Sequence, residues 1–482
     1  MERHSQKDTR FPDETRKIPT DSASCRQSDN APASPNTAVP ELLAPAGDFS
    51  RLQAAIQYGA DAVYLAGESF GMRSASKNFS AAELHKAVHY AHARGKKVYL
   101  ACNAMLRNHQ LDVLAPQVRE WEACGIDAII VGDMGALRIV KRTAPDLDVH
   151  ISVQTGLANY EAVRAMADLG ACRAILAREL TLDEIAEIRA KTPSSMVLEA
   201  FVHGSMCVSV SGRCLLSDYM TLSGGDCAQP CPSDTSGLSF RSGNGGDCAQ
   251  PCPSDTSGLS FRSGNGGDCA QPCRWKYALM EEKRPGEYFP VREDIEGSYI
   301  LNAKDLCMLP YLPQMAAAGI GSLKIEGRAK SVYYTAVTTN AYRCALDEWR
   351  AAGFPPSFAP SPWITDELYK VSHRPYSTGF YLGGRGGQHS ASGGYVRDYA
   401  VMGVVCEARG GRIYAQQRNK LCRGDQVEIL EPGKPPLPLK IERLWDGEDH
   451  EIDSTPHPTM PFSFPCDRTI SAGALIRRAR TD

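Results

Sequence analysis

The chain lacks any run of about 18 uninterrupted apolar residues, the length that a membrane-crossing helix requires. Residues 1–40 have no apolar h-region, which argues against a secretory signal. Glu2, Asp8, Asp13 and Glu14 are unwelcome in a transit peptide. The richness of this stretch in Ser, Asp, Thr, Pro and Arg predicts a disordered tail. Charge of one sign is scarce as well. Lys and Arg number 53 against 56 Asp and Glu, a net charge of −3, which excludes bulk attraction to nucleic acid or an anionic membrane. A local basic groove stays open. No H-E-x-x-H is present, so the metal set of a zinc-dependent protease has no visible source. A hydrophobic content of 43% with 23% charged residues suits a protein with a sizeable core, expected in the cytoplasm. The 482 residues accommodate one large domain and a small one.

From Glu41 onward, short apolar runs alternate with amphipathic stretches. The runs are Leu42–Ala46, Ala62–Ala66, Lys97–Ala101, Ala128–Gly132, His150–Val153, Ala174–Ala177, Leu198–Val202 and Ser322–Ile325. Between them, Ser80–Arg94, Leu111–Ala123, Tyr160–Leu169 and Thr181–Lys191 repeat apolar residues at helical spacing. Ser80 with Glu83, and Thr181 with Glu184, predict capping boxes. Eight strand–helix units in series favour a TIM-like (β/α)8 barrel over residues 41–350, with chemistry at the C-terminal ends of its strands. Residues 204–298 interrupt the pattern after the seventh strand. Ala329–Trp349 reads as a long helix and residues 351–394 as a Pro/Gly-rich linker. Short alternating strands over 395–482 predict a small β-barrel domain.

Cysteine is abundant and clustered. Of 17 cysteines, Cys207, Cys214, Cys227, Cys231, Cys248, Cys252, Cys269 and Cys273 fall in one stretch. Part of that stretch, 225–273, is repetitive. Gly225–Gly245 recurs without change as Gly246–Gly266, and a third copy begins at Gly267, inside a Gly/Ser/Pro loop expected to be flexible. A local cluster in a chain without a secretory signal reads first as metal binding. Cys207-x6-Cys214 with a Cys-x3-Cys pair offers four thiolates. An iron–sulfur cluster takes such a set. Zinc is the rival, although its structural sites usually use closer pairs, and free or redox thiols come third. The repeat leaves Cys227/Cys231, Cys248/Cys252 and Cys269/Cys273 interchangeable. The last is preferred because it runs into Arg274-Trp275-Lys276-Tyr277. Cys307 is a spare fourth ligand or, equally, a buried core thiol.

Several segments carry a resemblance. Glu199-Ala-Phe-Val-His-Gly-Ser-Met-Cys207 continuing to Ser211-Gly-Arg-Cys214-Leu-Leu-Ser217, together with Leu43-Ala-Pro-Ala-Gly47, Tyr58-Gly-Ala-Asp-Ala-Val-Tyr64, Ala177-Arg-Glu-Leu180, Leu323-Lys-Ile-Glu-Gly-Arg328 and Arg374-Pro-Tyr-Ser-Thr-Gly379, resembles the collagenase-like peptidase family. The nearest branch is similar to the prephenate-dependent hydroxylases of the tRNA wobble uridine. The resemblance implies an oxygen-independent hydroxylase with a [4Fe–4S] cluster on Cys207, Cys214, Cys269 and Cys273. It also implies prephenate as co-substrate, tRNA as partner and 5-hydroxyuridine as product. Sister branches act on a ribosomal RNA cytidine or on ubiquinone precursors, and a peptidase is the alternative activity. Assembly as a homo- or hetero-oligomer fits the family. The chain departs from it by 42 extra residues of repeat and by its N-terminal tail.

Other residues follow from the barrel. His203, just past the seventh strand, is expected at the active site as a proton donor or anion ligand, or else as a structural histidine beside the cluster. Lys324 and Glu326 share one strand face, and with Glu179 complete the catalytic candidates. Arg73, Arg178 and Arg328 are the cations expected to hold a dicarboxylate such as prephenate. Arg178 paired structurally with Glu179 is the competing reading. Gln154, ending the fifth strand, is expected to read a base or a carbonyl.

Overall fold

The computed structural model describes residues 39–71, 78–207, 303–383 and 395–480, and the backbone of two strands, β8 (Ala278–Met280) and β9 (Tyr288–Pro290), which pair as a hairpin. Seven parallel strands stand side by side: β1 (Glu41–Pro45), β2 (Ala62–Leu65), β3 (Lys97–Cys102), β4 (Ala128–Val131), β5 (Asp148–Ile151), β6 (Arg173–Ile175) and β7 (Val197–Ser205). An eighth, β11 (Ser322–Ile325), pairs in parallel with both β7 and β1 and closes the barrel. Each of the eight apolar runs in the sequence is one of these strands. They are nearly continuous in Val, Ile, Leu and Ala because each is covered on both faces.

The helices between them form the outer layer. In Ala81–His92 the buried residues Leu84, Ala87, Val88 and Ala91 recur at helical spacing and make the inner face. Both predicted capping boxes are present, at Ser80/Glu83 and Thr181/Glu184, and each satisfies two amides at a helix start.

After β7 the chain does not return at once to the barrel. The three-residue strand β10 (Asp305–Cys307) adds antiparallel to the upper half of β7, and β12 (Tyr376–Ser377) adds to β10. The helix Val332–Ala351 follows β11, as its apolar spacing predicts. The expected linker is more ordered than its composition suggests. It contains the helix Pro362–Tyr369, with Pro362 in the first turn, where a missing N–H is no loss.

The C-terminal domain is an antiparallel half-barrel. In order across the sheet its strands are β16 (Leu437–Lys440), β15 (Gln426–Leu430), β20 (Leu475–Ala479), β13 (Tyr399–Arg409), β14 (Arg412–Gln417), β19 (Pro461–Pro465), β17 (Leu444–Asp446) and β18 (Glu451–Ile452). Among the described residues no pairing joins β16 to β18, so the sheet is not a closed barrel. Its core holds Ile413, Phe462, Phe464 and Ile476. The domain is fastened to the barrel through Arg477, fully buried, which reaches Glu367 at 2.5 Å, Glu428 at 2.6 Å and the Tyr333 hydroxyl at 3.2 Å. No helix among the described residues is long and apolar enough to cross a membrane.

Candidate active site

Inside the barrel, alternate residues of the strands point to the axis, and several of them are charged. Arg173, at the start of β6, donates to Glu41 at 2.6 Å, to Glu199 at 2.9 Å and to Ser322 at 3.1 Å. The Tyr99 hydroxyl donates to Glu41 at 2.7 Å. On the next level up, Lys324 donates to the other oxygen of Glu199 at 2.8 Å and lies 4.5 Å from the Tyr64 ring centre. Burial alone would raise the Glu199 carboxyl. The Lys324 ammonium and the Arg173 guanidinium override it and hold the group down at about 2, so it stays ionised. Burial in turn pulls the Lys324 ammonium below the ordinary lysine value, against the pull of Glu199. The result is a charge-balanced floor, with Lys324 its uppermost cation.

Above this floor is the mouth, made by the C-terminal ends of the strands. Glu326, half-buried just past β11, lies 3.5 Å from the Tyr64 hydroxyl. Two residues on, Arg328 is buried. Its carbonyl oxygen comes so near Gly47 that a Cβ there would stand 2.0 Å away, which explains the glycine ending Leu43-Ala-Pro-Ala-Gly47. Arg178, past β6, donates to the Ser205 carbonyl at 3.0 Å and lies over the Phe201 ring at 4.2 Å. It therefore braces the end of β7. Glu179 beside it is half-buried, as is Gln154, in a short turn Val153–Thr155 past β5. The structure thus brings Lys324, Glu326 and Arg328 to one strand end, with Arg178 and Glu179 at the end of β6. Arg73 lies outside the described residues.

His203 is placed otherwise than its position in the sequence suggests. The register between β7 and β11 shifts, so Lys324 is opposite Phe201 while Ile325 is opposite His203. That bulge turns His203 away from the barrel axis and toward the helix Val332–Ala351. It is closed to solvent among Tyr334, Tyr342 and Tyr376, with ring centres 5.3–6.1 Å away. Among the described residues neither ring nitrogen has a hydrogen-bond partner, and burial pushes the imidazole down to about 3. A proton donor at the mouth is therefore not its position. Gly204 follows with φ of +105°, and a Cβ there would meet the Glu326 carbonyl oxygen at 2.5 Å. Only glycine fits.

Cys307 is cross-strand from His203 and shares its enclosure. Burial pushes this thiol up to about 12, and the side chain packs with the apolar core rather than at the mouth. Cys207 differs. Two residues beyond β7, it is exposed at the mouth, where a soft ligand for an iron–sulfur cluster fits. Cys214, Cys269 and Cys273, and the repeats themselves, lie outside the described residues. Among the described residues no group of three His, Cys, Asp or Glu side chains could hold a metal ion. A Cys–His contact does exist elsewhere: Cys124 Sγ lies 3.1 Å from His85 Nε2 between two outer helices. Burial raises that thiol, which is the opposite of activation.

Four members of the barrel floor escaped the sequence reading as site residues: Glu41, Tyr99, Arg173 and Glu199. The signal was present, since each is a polar residue at an inward position of an otherwise apolar strand. Lys330 and Tyr395 at the rim were missed for a different reason. They are distant in sequence and no periodicity relates them.

The model of peptidase family U32 matches residues 47–255 and 256–391, and that of the peptidase family U32 C-terminal domain matches 397–477. The tRNA hydroxylation protein P of Escherichia coli (strain K12) is 34% identical over 449 residues, covering 91% of this chain and 96% of that protein. The tRNA hydroxylation protein P1 of Bacillus subtilis (strain 168) is 31% identical over 451 residues, covering 92% and 96%. The 23S rRNA 5-hydroxycytidine C2501 synthase of E. coli is 31% identical over 311 residues, covering 64% of this chain and 39% of that protein. With this domain pair matched along the barrel and the half-barrel alike, the chain belongs to peptidase family U32.

Proposed function

We propose that this protein is an RNA-modifying enzyme that hydroxylates C5 of the tRNA wobble uridine, with prephenate as the source of the hydroxyl group. Relatives alike over nine-tenths of the chain are named for tRNA hydroxylation, and a further one for hydroxylation of a ribosomal RNA base. The observation that carries the reading is the position of Cys207. Its exposed thiol leaves β7 at the same barrel mouth that holds Arg178, Glu326 and Arg328.

In this reading Arg328, Arg178 and Arg73 hold the two carboxylates of prephenate, because guanidinium groups grip carboxylates in pairs of hydrogen bonds. Gln154 contacts the base edge. Lys324 keeps a positive charge below the mouth through Glu199, and Glu326 and Glu179 accept or return protons at the reacting base. A [4Fe–4S] cluster on Cys207, Cys214, Cys269 and Cys273, when bound, supplies one-electron transfer.

Mass spectrometry of tRNA nucleosides tests the proposal, in cells whose sole enzyme of this kind is the Cys207→Ala protein. The expected result is loss of 5-hydroxyuridine and its derivatives. Undiminished 5-hydroxyuridine would sink it. Iron and sulfide analysis of protein purified without oxygen tests the cluster separately.

A further inference from the structure

At the rim of the mouth, Tyr395 gathers cations. Its hydroxyl lies 3.5 Å from the Ser205 hydroxyl, two residues from Cys207. Lys330 Nζ stands 4.0 Å from its ring centre, the Arg374 guanidinium 5.4 Å and the Arg397 guanidinium 6.0 Å. Lys330 is also 5.3 Å from the Tyr334 ring. Arg374 is neutralised, since it is fully buried and paired with Asp305 at 3.0 Å. Lys330 and Arg397 are not. Among the described residues neither makes an ion pair with a carboxylate, Lys330 is half-exposed and Arg397 is exposed.

The backbone here is fixed at both ends. Val396 bridges to His373 through two amide hydrogen bonds of 2.8 and 3.3 Å, which sets Tyr395 in place. The Lys330 amide donates to the Gly327 carbonyl at 2.8 Å, and Arg51 Nε donates to the Lys330 carbonyl at 2.5 Å. A lysine on a flexible stem usually samples many positions. This one is held by the faces of two tyrosines, at the edge of a mouth and with its charge unspent.

We propose that Lys330 and Arg397, oriented by Tyr395, form a phosphate-anchoring subsite that holds the RNA backbone beside the nucleotide entering the barrel. The proposal rests on the RNA-hydroxylation reading and adds the contact that positions the strand. A base to be modified must leave its stack and enter a pocket, so a backbone anchor one or two nucleotides away belongs at the rim rather than in the interior. Two cations on one aromatic support suit successive phosphates. The chain's overall charge of −3 requires any such attraction to be local.

The test is equilibrium binding of an anticodon stem-loop RNA to the full-length protein over a range of salt concentration. Lys330→Glu and Arg397→Glu are each expected to weaken binding on the order of tenfold and to reduce the salt slope by about one. Lys330→Arg should keep the affinity, and Tyr395→Leu should lose part of it. Thermal unfolding of each variant shows that the loss is not one of folding, since Arg397 is exposed and Lys330 half-exposed. If the wild-type protein binds the RNA and both charge reversals leave affinity and slope unchanged, the subsite is overturned while the hydroxylation reading stands. If the wild-type protein binds no RNA, both fall together.

Discussion

Lys324 Nζ and Glu199 Oε1 lie 2.8 Å apart inside the barrel, both closed to solvent, and the second Glu199 oxygen is taken by Arg173 at 2.9 Å. One carboxylate thus pairs with two cations from two other strands, of which Arg173 also pairs with Glu41 at 2.6 Å. Glu199→Gln leaves the buried Lys324 ammonium without this counter-ion, an effect of about 3–5 kcal/mol. Urea unfolding should show a loss of that size. The double variant Glu199→Leu with Lys324→Met should recover part of it, because removing both partners of a buried pair leaves no orphan. A single variant as stable as the parent would mean that water reaches this floor.

The histidine enclosed by tyrosines makes stability depend on acid. His203 titrates at about 3 in the folded protein against an ordinary value of 6.5. Between those values the unfolded chain takes up a proton that the folded one refuses. The contribution of this group is therefore complete above pH 6.5 and falls as pH drops through the window. The slope is about 1.4 kcal/mol per pH unit. Replacing His203 by Phe, which suits an aromatic enclosure, should flatten the profile by one proton's worth between pH 6.5 and 4. Denaturant unfolding at pH 7, 6 and 5 reads this directly. His150 is also buried and held well below 6.5, so the variant's profile will not become level.

Arg477 is the joint between the half-barrel and the barrel helices. Its pairs with Glu367 and Glu428 are closed to water on the arginine side. Arg477→Met should destabilise the chain by about 3–5 kcal/mol, since it takes from the buried Glu367 the guanidinium that holds both its oxygens and leaves it only the pair with Lys370 at 3.1 Å. Limited proteolysis should then release a C-terminal fragment starting near residue 395 sooner than in the parent. An unchanged cleavage pattern would place the strength of the joint elsewhere.

Arg328 follows Lys324 and Glu326 just past the end of β11. In the proposed reaction Arg328→Ala should raise the KM for prephenate by about tenfold or more, with a smaller change in kcat, because it removes ground-state as well as transition-state binding. Steady-state assays at varied prephenate test this. An effect confined to kcat would assign Arg328 to chemistry instead.

Most of the barrel was legible because its signals are local. Apolar runs of four or five residues and two capping boxes each depend on neighbours within a turn or a strand. Lys324 and Glu326 were legible on one face for the same reason. His203 had two readings in the sequence, at the active site or as a structural histidine, and the choice turns on a one-residue register shift at the β7–β11 pairing. No local pattern announces such a bulge. The helix Pro362–Tyr369 was hidden in a segment whose Pro/Gly content reads as a linker, although Pro362 sits where it can start a helix. The rim pair Lys330 and Tyr395 could be found only from the closed barrel, which brings the two segments together.

The antiparallel pairing of Ser205 with Asp305 has an evolutionary consequence. The chain leaves the barrel and re-enters it at the same rung, so residues 206–304 form an excursion that begins and ends at one point. The 21-residue unit duplicated within it adds nothing to the span that must be bridged. Closure entropy grows only with the logarithm of loop length, so 42 additional residues cost about 0.5 kcal/mol. A slip of the replicating strand that copies this unit is therefore almost invisible to selection on folding. Copy number at this one place in the gene can drift between lineages while the barrel on either side is inherited unaltered.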